Sequence, residues 1–192
     1  MAKSQREKRP WQEAKSIVKL KSGWNLPSGF IFLSKRNDRA YPVVIINNLE
    51  GMAMSLKYGS YDREKAVRYA HHWAYRRNPN FYDFNNLGGD CTNFASQCVL
   101  AGCEVMNYTP TFGWYYISLN NRAPAWTGVP YFYNFMTTND GPGPYGVEVP
   151  ASEVEPGDLA QIRFIGKEVY GHTPVIVAID GPKIPGNILY IS

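Results

Sequence analysis

GGDCTNFASQCVLAG, residues 88–102, is the stretch of sequence that decides the fold. Its two glycines allow a sharp turn, and the carboxylate of Asp90 can cap the helix that follows. Gly102 suits the left-handed residue that ends many helices. Apolar residues between these ends recur at helical spacing, namely Phe94, Ala95, Cys98, Val99 and Ala101. The stretch therefore predicts a buried helix that begins at Cys91.

A cysteine at the start of a helix meets free backbone amides and the positive end of the helix dipole. Both favour thiolate over thiol, so Cys91 is a candidate nucleophile. The amides of this turn, including that of Cys91 itself, can also donate to a developing oxyanion. The alternative is that Cys91 is a small buried apolar residue, which is the commoner role of cysteine. Cys98 and Cys103 are interpreted as core or structural residues.

A cysteine nucleophile needs a base, and His172 is the candidate. It follows a glycine and opens the apolar run TPVIVAI at 173–179, which predicts an imidazole at the start of a strand. The alternative is a strand-edge histidine bonded to backbone. His71 and His72 fall on a predicted helix about 100° apart, which favours surface positions for both.

The order of the predicted elements is helices first and strands second. Asp62 is a good N-cap for a helix that should end near Asn78-Pro79. Residues 108–150 form a long irregular region rich in Gly, Pro, Trp and Tyr. EPGD at 155–158 then marks a turn, and three apolar β-branched runs follow it. This order predicts an α+β fold in which N-terminal helices pack on a small antiparallel sheet.

Residues 1–58 are interpreted as an N-terminal extension, and residues 59–192 as the main domain. Within the extension, FIFL at 30–33 and YPVVII at 41–46 flank a charged turn, which favours a hairpin. Residues 1–24 carry seven basic and two acidic side chains, which leaves 13 basic and 14 acidic ones elsewhere. A solvated tail is the favoured reading of this basic head, ahead of a tether or a surface helix.

Composition excludes several function classes. The near-neutral main domain predicts no nucleic-acid face. The basic start is not followed by an apolar signal core, and the longest apolar run is too short to span a membrane. Three cysteines within 13 positions and three histidines suggest neither a disulfide framework nor a metal site. Aromatic residues make up 15% of the chain, which suits a surface that receives sugars or peptides as well as a core.

Taken together, these segments resemble a known family. Residues 61–84 (YDREKAVRYAHHWAYRRNPNFYDF), GGDCTNFASQ, GWYY, AWTGV, the EPGD turn and GHTPVIVAI look like the putative amidase domain family of papain-like cysteine hydrolases. They are more distantly similar to bacterial cell-wall cysteine peptidases and to CHAP domains. The resemblance implies a papain-like fold, Cys91 as nucleophile, His172 as base, and no metal or cofactor. It also implies a peptide or peptidoglycan cross-bridge amide as substrate, in the cell envelope or outside the cell.

The sequence departs from these relatives at the residue that orients the histidine. In the family a polar third residue lies at the end of the strand after the histidine strand. Here that strand is NILYIS at 187–192, so the position falls at or just beyond Ser192. The alternatives are a chain cut short, a substitute among Asp180, Asn187 and Ser192, or impaired catalysis.

The hypothesis from sequence is a cysteine-dependent hydrolase that cleaves an amide through a thioester. Asp90 and Asn93 are expected to position the cysteine turn or to support the oxyanion. The residues expected to line a substrate cleft are Trp114, Tyr115 and Trp126, for which core packing is the alternative. Two rival functions stay open: a catalytically impaired module that binds cell-wall glycan or peptide, and a partner-binding domain tethered by its basic head. The oligomeric state is left open.

Overall fold

The computed structural model describes residues 14–21, 40–43 and 57–192, which form a mixed α+β structure. Four α-helices, nine strands and two short 3-10 helices occur in these ranges. The helices are α1 (Arg63–Trp73), α2 (Cys91–Cys103), α3 (Pro124–Thr127) and α4 (Val129–Thr138). The strands are β1 (Ala14–Lys21), β2 (Ala40–Val43), β3 (Lys57–Ser60), β4 (Tyr116–Ser118), β5 (Asn121–Arg122), β6 (Tyr145–Val149), β7 (Leu159–Ile162), β8 (Val175–Ile179) and β9 (Ile188–Ile191).

Five of the strands form one antiparallel sheet in the order β6-β1-β7-β8-β9. Strand β1 lies inside this sheet, with Ile17 opposite Val149 of β6 and Val18 opposite Leu159 of β7. Residues 14–21, which the sequence placed in a separate extension with a solvated basic head, are therefore a strand of the main sheet. Its partners lie more than 120 residues further along the chain, and a local pattern does not reveal such pairing.

The predicted hairpin in the N-terminal part pairs differently in the structure. Strand β2 pairs with β3, with Ala40 opposite Ser60 and Val43 opposite Lys57. The first predicted strand of the hairpin, residues 30–33, lies outside the described residues.

Helix α1 begins as the sequence predicts and ends earlier. The Asp62 carboxylate accepts a hydrogen bond from the amide of Lys65 at 2.9 Å, which confirms the N-cap. The helix ends at Trp73, five residues before Asn78, where the prediction placed its end.

Helix α2 also begins at the predicted residue, but it runs past Gly102. The left-handed residue that ends it is Glu104, with φ of 60°. Gly102 is needed for another reason: a Cβ atom there would lie 2.4 Å from the Tyr61 ring and 2.9 Å from the Asp62 carbonyl oxygen. The glycine thus permits close packing of the end of α2 on the start of α1.

The region predicted to be irregular, residues 108–150, is largely regular. It contains the β4–β5 pair, the helices α3 and α4, and strand β6. Pro124 stands in the first turn of α3, where a missing amide is tolerated and where the fixed φ suits a helix. The proline that suggested a loop therefore starts a helix here.

The main core lies between the helices and one face of the sheet. Its buried members from the helices include Ala70, Phe94, Ala95, Cys98, Val99, Phe132 and Met136, and those from the sheet include Leu159, Val175 and Val177. A second, smaller apolar cluster contains Val154, Ile176 of β8 and Ile188 of β9. In the described part of the chain, no helix has both the length and the apolar character needed to cross a membrane.

Candidate active site

Cys91 is the first residue of α2 and the only one of the three cysteines that is not fully buried. Gly88 and Gly89 precede it with φ of +100° and +109°, a conformation that other residues rarely adopt. Its sulfur lies 3.8 Å from the Thr92 hydroxyl oxygen. Cys98 is in the core with no exposed surface, as predicted, and so is Cys103.

The Asp90 carboxylate does not cap α2, which corrects the capping role predicted for it. Its Oδ1 accepts hydrogen bonds of 2.9 Å from the Phe84 amide and from the Asn93 Nδ2. The carboxylate therefore ties the preceding loop to the helix. Among the described residues, nothing accepts a hydrogen bond from the amides of Cys91, Thr92 or Asn93, so the first turn keeps its donors available.

Arg77 is a member of this site that the sequence reasoning missed. Its Nε lies 2.9 Å from Asp90 Oδ2, although the N–H is not aligned for a hydrogen bond, so the contact is an ion pair. Only 3% of the Asp90 side chain is exposed, against 34% of the Arg77 side chain. Since a buried carboxylate needs a partner, an aspartate at the start of a buried helix signals a nearby cation. That signal does not say which cation.

Asn93 uses both ends of its amide inside the protein. Its Oδ1 accepts from Trp126 Nε1 at 2.8 Å, and its Nδ2 donates to Asp90 and to the Tyr82 carbonyl at 3.1 Å. Only 1% of the residue is exposed. Asn93 is therefore placed to hold the turn, and its side chain has no free donor for an oxyanion.

Two of the three predicted cleft residues are core residues. Trp114 and Trp126 have no exposed surface and lie against each other, with ring centroids 4.9 Å apart. Their indole N–H groups are used internally: Trp114 donates to Ser96 at 2.9 Å, and Trp126 to Asn93. Neither can line a cleft, and core packing explains both. Tyr115 is half-buried, and its ring lies 5.4 Å from that of Tyr108.

An open groove of about 460 Å³ lies along the loop that leads to Cys91. Two segments line it, residues 79–83 and 116–119. The Tyr82 amide donates to the Tyr116 hydroxyl at 2.9 Å and joins the two walls. The Tyr82 carbonyl is also the group that accepts from Asn93, so one wall is fixed to the first turn of α2.

His172 lies just before β8, beside the last residue of β7. The Ile162 amide donates to its carbonyl at 2.9 Å. The residue is half-buried, and this burial lowers the pKa of the imidazole from its usual 6.5. Within the described residues, no hydrogen bond joins the imidazole to the Cys91 thiol. Such contacts are often long in a resting enzyme and shorten when substrate binds.

A series of contacts fixes the C-terminal end of α2 near the start of β7. The C-terminal end of α2 is fixed to the start of α1, because the Asp62 amide donates to the Gly102 carbonyl at 2.9 Å. The neighbouring Tyr61 hydroxyl donates to the Gly157 carbonyl at 3.0 Å, just before β7 begins. Cys91 begins the other end of α2, and His172 lies beside the last residue of β7. Their pairing stays a prediction.

Two of the three candidate orienting residues are at the wrong end of β8. Asp180 and Asn187 are paired with each other, by a backbone bond of 2.8 Å, where β8 ends. His172 is eight residues away, or about 26 Å along an extended strand. Ser192 follows Ile191, which lies opposite Val175, so it falls short of the position that faces His172.

Comparison with known proteins identifies the family of the chain. The model of a family described as "Putative amidase domain" matches residues 60–191. The chain belongs to this putative amidase domain family. The family match contains Cys91 and His172, the loop that carries Asp90, and both segments that line the groove.

A relative of this putative amidase domain is the "Uncharacterized protein YhbB" of Bacillus subtilis (strain 168). The two are 34% identical over 128 residues, a segment that is 65% of this chain. It is 40% of the length of the Bacillus protein, so the match spans less than half of that relative. No solved structure matches the chain significantly.

Proposed function

We propose that this putative amidase domain is a cysteine-dependent, papain-like hydrolase that cleaves amide bonds. The observation that carries the proposal is the placement of Cys91. Its thiol is the accessible one of the three, and it lies at a helix start whose amides have no acceptor among the described residues. A structural cysteine needs neither feature, whereas an acyl-transfer nucleophile needs both.

The reaction proceeds through a thioester. The Cys91 thiolate attacks the amide carbonyl carbon, an S–C bond forms, and the first-turn amides of α2 donate to the oxygen as it becomes negative. Collapse of this intermediate breaks the C–N bond, while protonated His172 gives its proton to the leaving amine. Water then attacks the thioester, neutral His172 accepts its proton, and the S–C bond breaks. The products are a carboxylic acid, an amine and the free thiol.

The environment of His172 suits the role of proton acceptor. Burial lowers the pKa of its imidazole, so the ring is neutral at neutral pH and can take the proton of the thiol or of water. The residue is half-buried, so it is not sealed inside the core.

The proposed substrate is a peptide or a peptidoglycan cross-bridge. The groove of residues 79–83 and 116–119 supports this choice, because its walls combine aromatic, apolar and amide groups, among them Tyr82, Ile117 and Asn80; neither Cys91 nor His172 lines it. Such walls suit an extended chain that has both amide groups and apolar side chains. The groove wall is anchored to Asn93, two residues from the proposed nucleophile.

The test is release of new amino groups from purified peptidoglycan and from a mixed peptide library. We expect wild-type protein and Cys98→Ala to release amines, and Cys91→Ser to release none above background. Cys98→Ala is the matched control because it removes a thiol from the same helix. Release by Cys91→Ser at the wild-type rate would refute the proposal. Binding to peptidoglycan with no release by the wild type would favour an impaired binding module instead.

A further inference from the structure

A buried negative charge stands directly beside the proposed nucleophile. Asp90 precedes Cys91, only 4% of the residue is exposed, and the contacts of its carboxylate belong to the loop and to the first turn of α2. An unpaired carboxylate there would be costly to bury. It would also oppose negative charge on the sulfur or on a substrate oxygen at the same helix start.

Arg77 is the side chain that balances this charge. Its Nε lies 2.9 Å from Asp90 Oδ2, the one ion pair of Asp90 among the described residues. Its second acidic neighbour, Asp83, is more distant at 3.8 Å and belongs to the wall of the groove. The guanidinium thus reaches from the partly exposed turn after α1 to the buried carboxylate.

The neighbouring Arg76 does not share the ion pair that Arg77 makes with Asp90. Arg76 is exposed, donates from Nε to the His72 carbonyl at 3.1 Å, and lies over the Trp73 ring at 5.5 Å. Within the described part of the chain, no hydrogen bond or ion pair joins Arg76 to residues 79–90. Two adjacent arginines of the same charge therefore have different surroundings, and only Arg77 reaches the start of α2.

We infer that Arg77 is a positioning residue of the proposed active site. By neutralising Asp90, it lets the carboxylate hold the Phe84 amide and the Asn93 side chain without leaving a net negative charge beside Cys91. The loop is thereby fixed while the first turn of α2 keeps its electrostatic preference for anions. The inference rests on the proposed function of Cys91.

The experiment measures acylation of Cys91 by p-nitrophenyl acetate, a probe that needs no knowledge of the natural substrate. The thiolate attacks the acetyl carbon, the S–C bond forms, and p-nitrophenolate leaves in a burst. Variants are Arg77→Met, Arg77→Lys, the double variant Arg77→Met/Asp90→Asn, and Arg76→Met as the matched control. The acylation rate constant and the half-saturating probe concentration are measured separately, on protein whose folded fraction is verified.

We expect Arg77→Met to lower the acylation rate constant about 10- to 100-fold, as for a misplaced reacting group. The half-saturating concentration of p-nitrophenyl acetate should change little. Arg77→Lys should retain most of the rate because it keeps the charge. The double variant should be faster than Arg77→Met alone, because it has no unpaired carboxylate. Arg76→Met should equal the wild type.

A merely structural role makes different predictions. It lowers the folded fraction of Arg77→Met but leaves the rate constant of the folded molecules unchanged, and that result would overturn the inference. A double variant no faster than Arg77→Met would overturn it too, since charge compensation would then be irrelevant. A wild type with no Cys91-dependent burst would refute the proposed function, and the inference with it.

Discussion

Replacing Asn93 by alanine tests whether this residue holds the turn or serves the reaction. Asn93 makes three hydrogen bonds: it accepts from Trp126 Nε1, and it donates to Asp90 and to the Tyr82 carbonyl. Alanine removes all three. The largest cost is at Trp126, whose indole N–H has no exposed surface and would lose its acceptor.

The magnitude follows from these contacts. An orphaned buried donor costs about 1–3 kcal/mol, and each hydrogen bond lost adds about 0.5–1.5 kcal/mol. The orphaned Trp126 donor and the two other lost hydrogen bonds together lower the expected free energy of unfolding of Asn93→Ala by about 2–6 kcal/mol. For a chain of this size that is a decrease in Tm of about 4–24 °C.

Urea unfolding followed by fluorescence measures the change, with Gln97→Ala as the matched control. Gln97 lies on the same helix and is also buried, and among the described residues its side chain accepts one hydrogen bond, from the Tyr69 hydroxyl at 2.7 Å. Its replacement should cost less than that of Asn93. A double-mutant cycle with Trp126→Phe should show a coupling above about 0.5 kcal/mol. An Asn93→Ala variant as stable as Gln97→Ala, or a cycle without coupling, would refute the structural role.

Three further predictions concern other parts of the structure. Burial lowers the pKa of His172, so the unfolded chain binds its proton more readily; this residue's contribution to stability is full above pH 6.5 and declines below it. Urea midpoints from pH 8 to pH 5 should therefore fall more steeply for wild type than for His172→Gln, and parallel curves would contradict this. Gly102→Ala should lower the free energy of unfolding by about 1–3 kcal/mol despite the better helix propensity of alanine, because its Cβ meets the Tyr61 ring; a more stable variant would show that the helices can separate freely. The double variant Gln161→Leu/Thr173→Val should match or exceed wild-type stability in thermal unfolding, since it removes a buried Gln161 Nε2 that has no partner; a loss above about 2 kcal/mol would contradict it.

Local signals predicted the beginnings of the two long helices and the order of the last three strands. Asp62 caps α1, and α2 begins at Cys91, because capping and apolar periodicity depend on neighbouring residues alone. β7, β8 and β9 follow from apolar runs separated by turns. These features need no knowledge of the rest of the fold.

Features that depend on distant contacts could not be predicted in this way. Gly102 permits close packing on Tyr61 and does not end α2, so its interpretation as a terminator was wrong. Residues 14–21 join strands that lie far along the chain. Asp90 has the sequence position of a cap, yet it gives its carboxylate to Phe84, Asn93 and Arg77.

The same distinction between local signals and distant contacts applies to the residues of the candidate site. The sequence alone singled out Cys91 and His172, and their pairing stays a prediction. Aromatic richness near a candidate nucleophile suggested cleft residues, but Trp114 and Trp126 are buried. The positions of tryptophans in a sequence do not show which of them are exposed to solvent. Here the indole N–H groups of Trp114 and Trp126 donate to buried residues, which keeps both rings in the core.

The central claim is that Cys91 forms a covalent acyl intermediate, and peptide mapping after an acid quench tests it most directly. Protein is mixed with p-nitrophenyl acetate at neutral pH, quenched within the burst, digested with pepsin and analysed by mass spectrometry. Pepsin cuts beside residues such as Phe94 and Leu100, which separate the three cysteines. We predict one acetyl group on the peptide that contains Cys91, none on those that contain Cys98 or Cys103, and slower loss of the acetyl group in His172→Gln. Acetylation spread over surface lysines, with Cys91 unmodified, would contradict the account.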